Sequence, residues 1–178
     1  MSRIVLTVAL FLTFPTVELS RSGEVAGSTP VAKVTTPERD RVKTVLLSWP
    51  WAEQGVATEV ADAIVRYSND HSVPIELALA VMRVENPWLK PDTVSYAGAV
   101  GLFQVMPQYW DHEYAHCGED LRNVQVNVCK GTAILAYYIE RSESLESALL
   151  AYNGCRREAC SSYATRVLTH YDDHRNAD

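Results

Sequence analysis

Residues 74–85, reading PIELALAVMRVE, place apolar side chains on nearly every side of a helix, with Ile75, Ala78, Leu79 and Met82 prominent among them. A helix that is apolar all round is stable only when other elements surround it. The segment is therefore predicted to run through the middle of a helical bundle. Asn86 and Pro87 stop it, which leaves the acid Glu85 on its last turn.

The flanking sequence supplies the surrounding helices. Thr36, Pro37 and Glu38 form a helix start, with a cap, a first-turn proline and an early acid, and predict a helix to about Ser48. Trp49, Pro50 and Trp51 break it. A second helix fits Glu53 to about Asn69, where Val56, Val60, Ile64 and Tyr67 recur on one face. Between Trp88 and Ala99, Pro91, Asp92, Ser95 and Gly98 predict a turn-rich excursion with room for a short hairpin. Helical patterns resume at about Val100–Met106, Leu121–Arg141, Leu145–Tyr152 and Tyr163–Asp172. The fold class expected is mostly α.

With 178 residues and a hydrophobic fraction of 47%, the chain suits one compact domain. A net charge of -6 with no basic run excludes a nucleic-acid binder, which needs clustered Lys and Arg to neutralise phosphates. Arg3 followed by the apolar stretch Ile4–Phe14 reads as a secretory signal peptide, too short to be a comfortable membrane span, with an uncleaved anchor as the alternative. Cleavage anywhere from Ser20 to Ser28 fits. The expected organisation is a signal segment over residues 1–28, a linker over 29–36 and one catalytic domain over 37–178, exported to the periplasm or beyond with no stable membrane anchor.

The four cysteines all follow the signal segment, and an even count in an exported chain points to two disulfides. Three pairings are open. Cys117–Cys129 with Cys155–Cys160 is preferred, because each pair brackets a short loop that a bridge closes. Buried free thiols are the alternative.

Glu85 carries the chemistry. The negative end of a helix and apolar surroundings both disfavour its charged form, so its pKa is expected to be raised. A carboxylic acid that keeps its proton near neutrality is what general acid catalysis requires. Arg83, two residues away on the helix, should point elsewhere.

The run from Glu85 to Pro107, ENPWLKPDTVSYAGAVGLFQVMP, resembles the catalytic segment of soluble lytic transglycosylases through Glu85, Pro91, Ser95, Gly98, Ala99, Gly101, Leu102, Gln104, Met106 and Pro107. Asn127, Val128 and Gly131 are similar to the family's core-helix element, Ala151–Gly154 to its Ala-Tyr-Asn-Gly box, and Tyr163 with Val167 to its last helix. Asn86, Phe103 and Cys155 depart from the family pattern, and the turn after Glu85 is one residue longer. The resemblance implies a lysozyme-like helical domain that cleaves the bond between N-acetylmuramic acid and N-acetylglucosamine in peptidoglycan. In that reading Glu85 protonates the glycosidic oxygen and then, as carboxylate, takes the proton of the muramoyl C6 hydroxyl as it closes on C1, giving a 1,6-anhydro end. No second carboxylate is required, unlike glycosidases that work with two acids. None lies between Val94 and Tyr109.

The chemistry of the side chains and backbone assigns glycan contacts to Ser95, Gly101, Phe103, Gln104, Tyr152 and Asn153, and the resemblance gives Tyr163 the task of holding Glu85. No cofactor is expected, and the partner is the peptidoglycan strand. Wall turnover, a secretion or conjugation apparatus and phage penetration are all compatible settings. A goose-type lysozyme shares the fold and the glutamate but uses additional aspartates, and a non-catalytic glycan-binding module would have no need of the acid. His112, Glu113 and His116 spell H-E-x-x-H, which on a helix binds zinc in metallopeptidases. Cys117 and Gly118 interrupt that helix at once, the extended form's third histidine is absent, and the segment is read as a connector without metal.

Overall fold

The computed structural model describes residues 36–110, 112–154 and 161–176. The segment over residues 1–28, the linker to residue 35 and the Cys155–Cys160 bridge fall outside the described residues, Thr36 apart. Seven α-helices occur among them: α1 Thr36–Leu47, α2 Gln54–Asp70, α3 Ile75–Glu85, α4 Pro107–Trp110, α5 Val124–Glu140, α6 Leu145–Tyr152 and α7 Ser161–Arg175. A single 3-10 turn, Ala115–Cys117, lies between α4 and α5. No described helix is long and apolar enough to cross a membrane.

Helix α3 is the central element its composition demands. Ile75, Leu77, Ala78, Leu79, Ala80, Val81 and Met82 are all buried, so no face of the helix is left to water from Leu77 to Met82. It packs on α2 and α7, while α5 packs on α2 and α6. Arg41 of α1 reaches across to Glu76 at 2.7 Å, and Arg39 pairs with Asp62 of α2, which fastens α1 to the bundle. The segment after α3 is irregular.

The helix expected at Val100–Met106 does not form. Val100 instead pairs with Val94 and with Val105 in isolated antiparallel bridges, so the turn-rich excursion extends through this stretch. Tertiary contacts override the helical spacing here. Gly101 has φ +80°, and a Cβ there would lie 2.2 Å from Asn127 Nδ2 and 2.7 Å from the Leu121 carbonyl oxygen. Buried Asn127 holds the loop down: its Oδ1 accepts from Phe103 N–H at 2.8 Å, and its Nδ2 donates to the carbonyls of Val100 and Leu121, each at 2.9 Å. Phe103 then fits over the bare backbone of Gly131 on α5, where an added Cβ would come within 2.2 Å of the ring.

The Cys117–Cys129 disulfide is present, with its Cα atoms 5.6 Å apart. It does more than close a loop, because Cys129 is buried on α5 and the bridge ties the 3-10 turn to that helix.

Removing the Asn127 amide leaves the Phe103 N–H and the Leu121 carbonyl to find other partners, at about 1–3 kcal/mol for each group left unsatisfied, while the Val100 carbonyl keeps its bond from Val105 N–H. Asn127→Ala is expected to lower unfolding free energy by about 3 kcal/mol or more, measured by urea denaturation. A loss below about 1 kcal/mol would show that the loop does not depend on this residue.

Candidate active site

Glu85 occupies the last residue of α3, with Asn86 as its C-cap. Its Oε1 accepts a hydrogen bond of 2.6 Å from the Tyr163 hydroxyl. Tyr163 is itself buried near the start of α7, the helix that packs along α3. Two rigid helices therefore position the acid and its donor.

Burial pushes the Glu85 carboxyl up to about 7, against the opposing effects of the Tyr163 hydroxyl and, more weakly, the Arg166 guanidinium. Desolvation wins because the charged form loses more hydration than one hydrogen bond and one exposed cation restore. No carboxylate among the described residues is one of the groups that set this value. The Tyr163 phenol is raised far above its ordinary range, chiefly by burial and then by Glu85, so it stays a proton donor. Arg83 plays no part: it donates to the Pro87 carbonyl at 3.2 Å and lies over the Trp49 ring.

The loop facing α5 is tied to the end of α3 by Asn86. Its fully buried amide donates to the carbonyls of Lys90 at 2.7 Å and Gly101 at 3.1 Å, and its oxygen accepts from Lys90 N–H. Asn86 thus holds the turn after α3 in place. Gln104 has a positive φ of 48° and donates from Nε2 to the Gly101 carbonyl at 2.8 Å, so its amide is oriented by the same loop. Tyr152 on α6 donates to the Phe103 carbonyl at 2.8 Å, and Glu85 is among the groups raising its pKa after burial, which places the two in one electrostatic neighbourhood.

Not every residue assigned to glycan contact faces outward. The Phe103 side chain is completely buried against α5 and offers no wall to a sugar. Gly101 is buried too, and the space beside its backbone is filled by Asn127 rather than left for a ligand. Ser95 Oγ accepts from Ala99 N–H at 3.0 Å and so caps its own loop. Asn153 is exposed as the C-cap of α6. Asp92 is exposed on its turn. Arg166 was not singled out from the sequence, although its place three residues after Tyr163 on one helix is the spacing that brings two side chains to one face.

The H-E-x-x-H pattern does not lie on a helix. α4 ends at Trp110, Tyr114 has a left-handed φ of 53°, and His112 and Glu113 are exposed in the turn between. The i, i+4 geometry that would aim His112 and His116 at one ion is therefore missing.

A partly buried carboxylic acid gripped by a tyrosine, at the end of the central helix of a lysozyme-like helical domain, has the properties of a general acid. A model of the Transglycosylase SLT domain matches residues 62–165, a span that runs from within α2 to within α7 and includes both Glu85 and Tyr163. The chain belongs to that family, and with it to proteins of the peptidoglycan-cleaving, lytic transglycosylase type. No curated protein and no solved structure gives a significant match.

Because the folded-state pKa of Glu85 lies above its ordinary value of 4.5, the folded chain binds more protons than the unfolded chain between about pH 4.5 and 7. Stability therefore falls as pH rises through that window, by on the order of 3 kcal/mol, and levels off above it. Glu85→Gln removes this dependence while keeping an acceptor for Tyr163. Thermal melts are expected to show the variant equal to wild type near pH 4 and more stable at pH 8. A difference that does not change with pH would contradict the raised pKa.

Proposed function

We propose that the chain is an exported lytic transglycosylase that cleaves the β1,4 bond between N-acetylmuramic acid and N-acetylglucosamine without water, with Glu85 as acid and then base. The observation that carries this reading is the Glu85 carboxyl, raised to about 7 by burial and held by Tyr163, with no described carboxylate acting on it. A pKa near neutrality lets one group serve both half-reactions, since neither its protonated nor its ionised form is costly. Protonated Glu85 donates to the glycosidic oxygen as the C1–O bond breaks. The resulting carboxylate takes the C6 hydroxyl proton while O6 bonds to C1, which restores the acid and leaves a 1,6-anhydro ring.

Tyr163 supports each stage as a donor that never loses its own proton, and it keeps the carboxylate pointed at the scissile bond. Gln104, Tyr152 and Asn153 are the side chains we assign to glycan binding, the amides of Gln104 and Asn153 being suited to acetamido and hydroxyl partners. Phe103, Gly101 and Asn86 act by holding the Gln104 loop against α3 and α5. The chain's own first residues, read as an export signal, and its peptidoglycan substrate agree on a location outside the cytoplasm.

Purified protein incubated with peptidoglycan is expected to release muropeptides ending in 1,6-anhydromuramic acid, and Glu85→Gln to lower the rate by about a hundredfold or more. Mass spectrometry separates the outcomes. Reducing ends would instead assign hydrolysis of the lysozyme kind, and undiminished cleavage by the variant would remove Glu85 from the chemistry.

The pH profile gives an independent check. The rate is expected to decline above about pH 7 as Glu85 loses its proton. Tyr163→Phe deletes a hydrogen bond that favours the carboxylate, so it should lower the maximal rate while moving the alkaline limb to higher pH. A fall in rate with an unmoved limb would mean that Tyr163 has only a packing role.

A further inference from the structure

On the α2–α5 side of the bundle, His71 at the C-cap of α2, His116 in the 3-10 turn and Cys129 on α5 bring potential ligand atoms within 4.8 Å of one another. Cys129 is bonded to Cys117, whose Sγ lies 3.6 Å from His116 Nε2. The two imidazole rings stand 6.3 Å apart, edge toward face. A pocket of about 320 Å³, lined by Arg66, Tyr67, Asp70, His71, His116 and Cys129, opens beside them. No step of glycan cleavage uses any of these groups.

The contacts of Thr132 bear on the tautomer of His71. Thr132 Oγ1 lies within donor distance of the carbonyls of Val128 at 2.8 Å and Cys129 at 3.1 Å, which engages its one proton. At 2.8 Å from the same oxygen, His71 Nδ1 is the donor in the arrangement that uses all of these contacts. That tautomer leaves the Nε2 lone pair available, and the Nδ1–H anchor is the kind of outer bond that orients metal-binding histidines.

We propose that this corner is a thiol-dependent site for zinc, formed by His71, His116, Cys117 and Cys129 when the disulfide is open. Two thiolates and two imidazoles are a complete tetrahedral set for zinc, which binds sulfur at about 2.3 Å and nitrogen at about 2.0–2.1 Å. Those lengths at a tetrahedral angle put neighbouring sulfur and nitrogen about 3.6 Å apart, the separation already present between Cys117 and His116. While the disulfide is closed the sulfurs are poor ligands, and the site has only its two imidazoles. A dithiol reductant opens it: two electrons and two protons pass to the S–S bond, giving two thiols, and the reductant becomes a disulfide. Zinc binding then expels both thiol protons. The same two sulfurs thus tie the 3-10 turn to α5 covalently in the oxidised chain and through a cation in the reduced one.

The experiment uses the full chain carrying Cys155→Ser and Cys160→Ser, so that no other thiol contributes. After reduction by a phosphine and removal of metal, titration with Co²⁺ is expected to give one equivalent of a complex with thiolate charge-transfer bands and the strong d–d bands of tetrahedral cobalt, displaced by Zn²⁺. The oxidised protein should give neither. His71→Ala and His116→Ala should each weaken binding more than about tenfold in competition with a chromogenic chelator. Zinc should raise the melting temperature of the reduced chain and not of the oxidised one. If the reduced, metal-free chain is unfolded, one equivalent of Zn²⁺ should restore its helical circular dichroism. Absence of tetrahedral bands, binding undiminished in both histidine variants, or failure of zinc to stabilise or refold the reduced chain would overturn the proposal.

Discussion

The site depends on one buried amide. Asn127, in the first turn of α5, makes three hydrogen bonds to Val100, Leu121 and Phe103, all backbone partners on segments that have no regular ladder of their own. Irregular backbone cannot be buried unless its polar groups are paired, and here a single side chain pairs three of them. Gly101 leaves room for that amide, and Gly131 leaves room for Phe103. The loop that carries Gln104 is consequently pinned to α5 by side-chain hydrogen bonds, although it has almost no secondary structure. Asn86 performs the matching task from the α3 side, so the loop is anchored at both edges of the acid's surroundings.

Within that frame the behaviour of Glu85 is a balance between desolvation and two favourable partners. Full burial without a donor would hold the carboxyl protonated and useless as a base. Exposure would return it to the ordinary carboxylate range and leave no acid at neutral pH. The Tyr163 hydrogen bond at 2.6 Å and the weaker effect of Arg166 offset part of the burial penalty, and the result lies near 7. An acid–base pair in one residue needs that intermediate value, and packing of α7 against α3 sets it.

Another part of the bundle contains a second concentration of polar chemistry built from different elements. His116 belongs to a sequence pattern that suggests zinc, yet its geometric partners are His71, distant in sequence, and the Cys117–Cys129 pair. Tyr114 breaks the helix the pattern would need. A short motif read along the chain thus gave His116 the wrong companions, because spacing predicts proximity only where the backbone is regular.

Periodicity and composition were enough for much of this protein. An all-apolar helix ending in Glu85, its amphipathic neighbours, the Cys117–Cys129 bridge and the Tyr163 contact with Glu85 were all legible from residue order and from resemblance, since each depends on local spacing or on a recurring motif. The stretch from Val100 to Met106 was not, and its helical spacing misled because Asn127 supplies hydrogen bonds that outweigh local propensity. Phe103 and Gly101 were misjudged for the same reason: which way a loop side chain points is decided by what packs beneath it. Residue order alone determined that the chain is a helical bundle with an acid at the end of its central helix. Only the tertiary structure decided how deeply that acid is buried, which donor and cation offset its burial, and which loop residues are core, because desolvation and long-range hydrogen bonds exist only once distant segments meet.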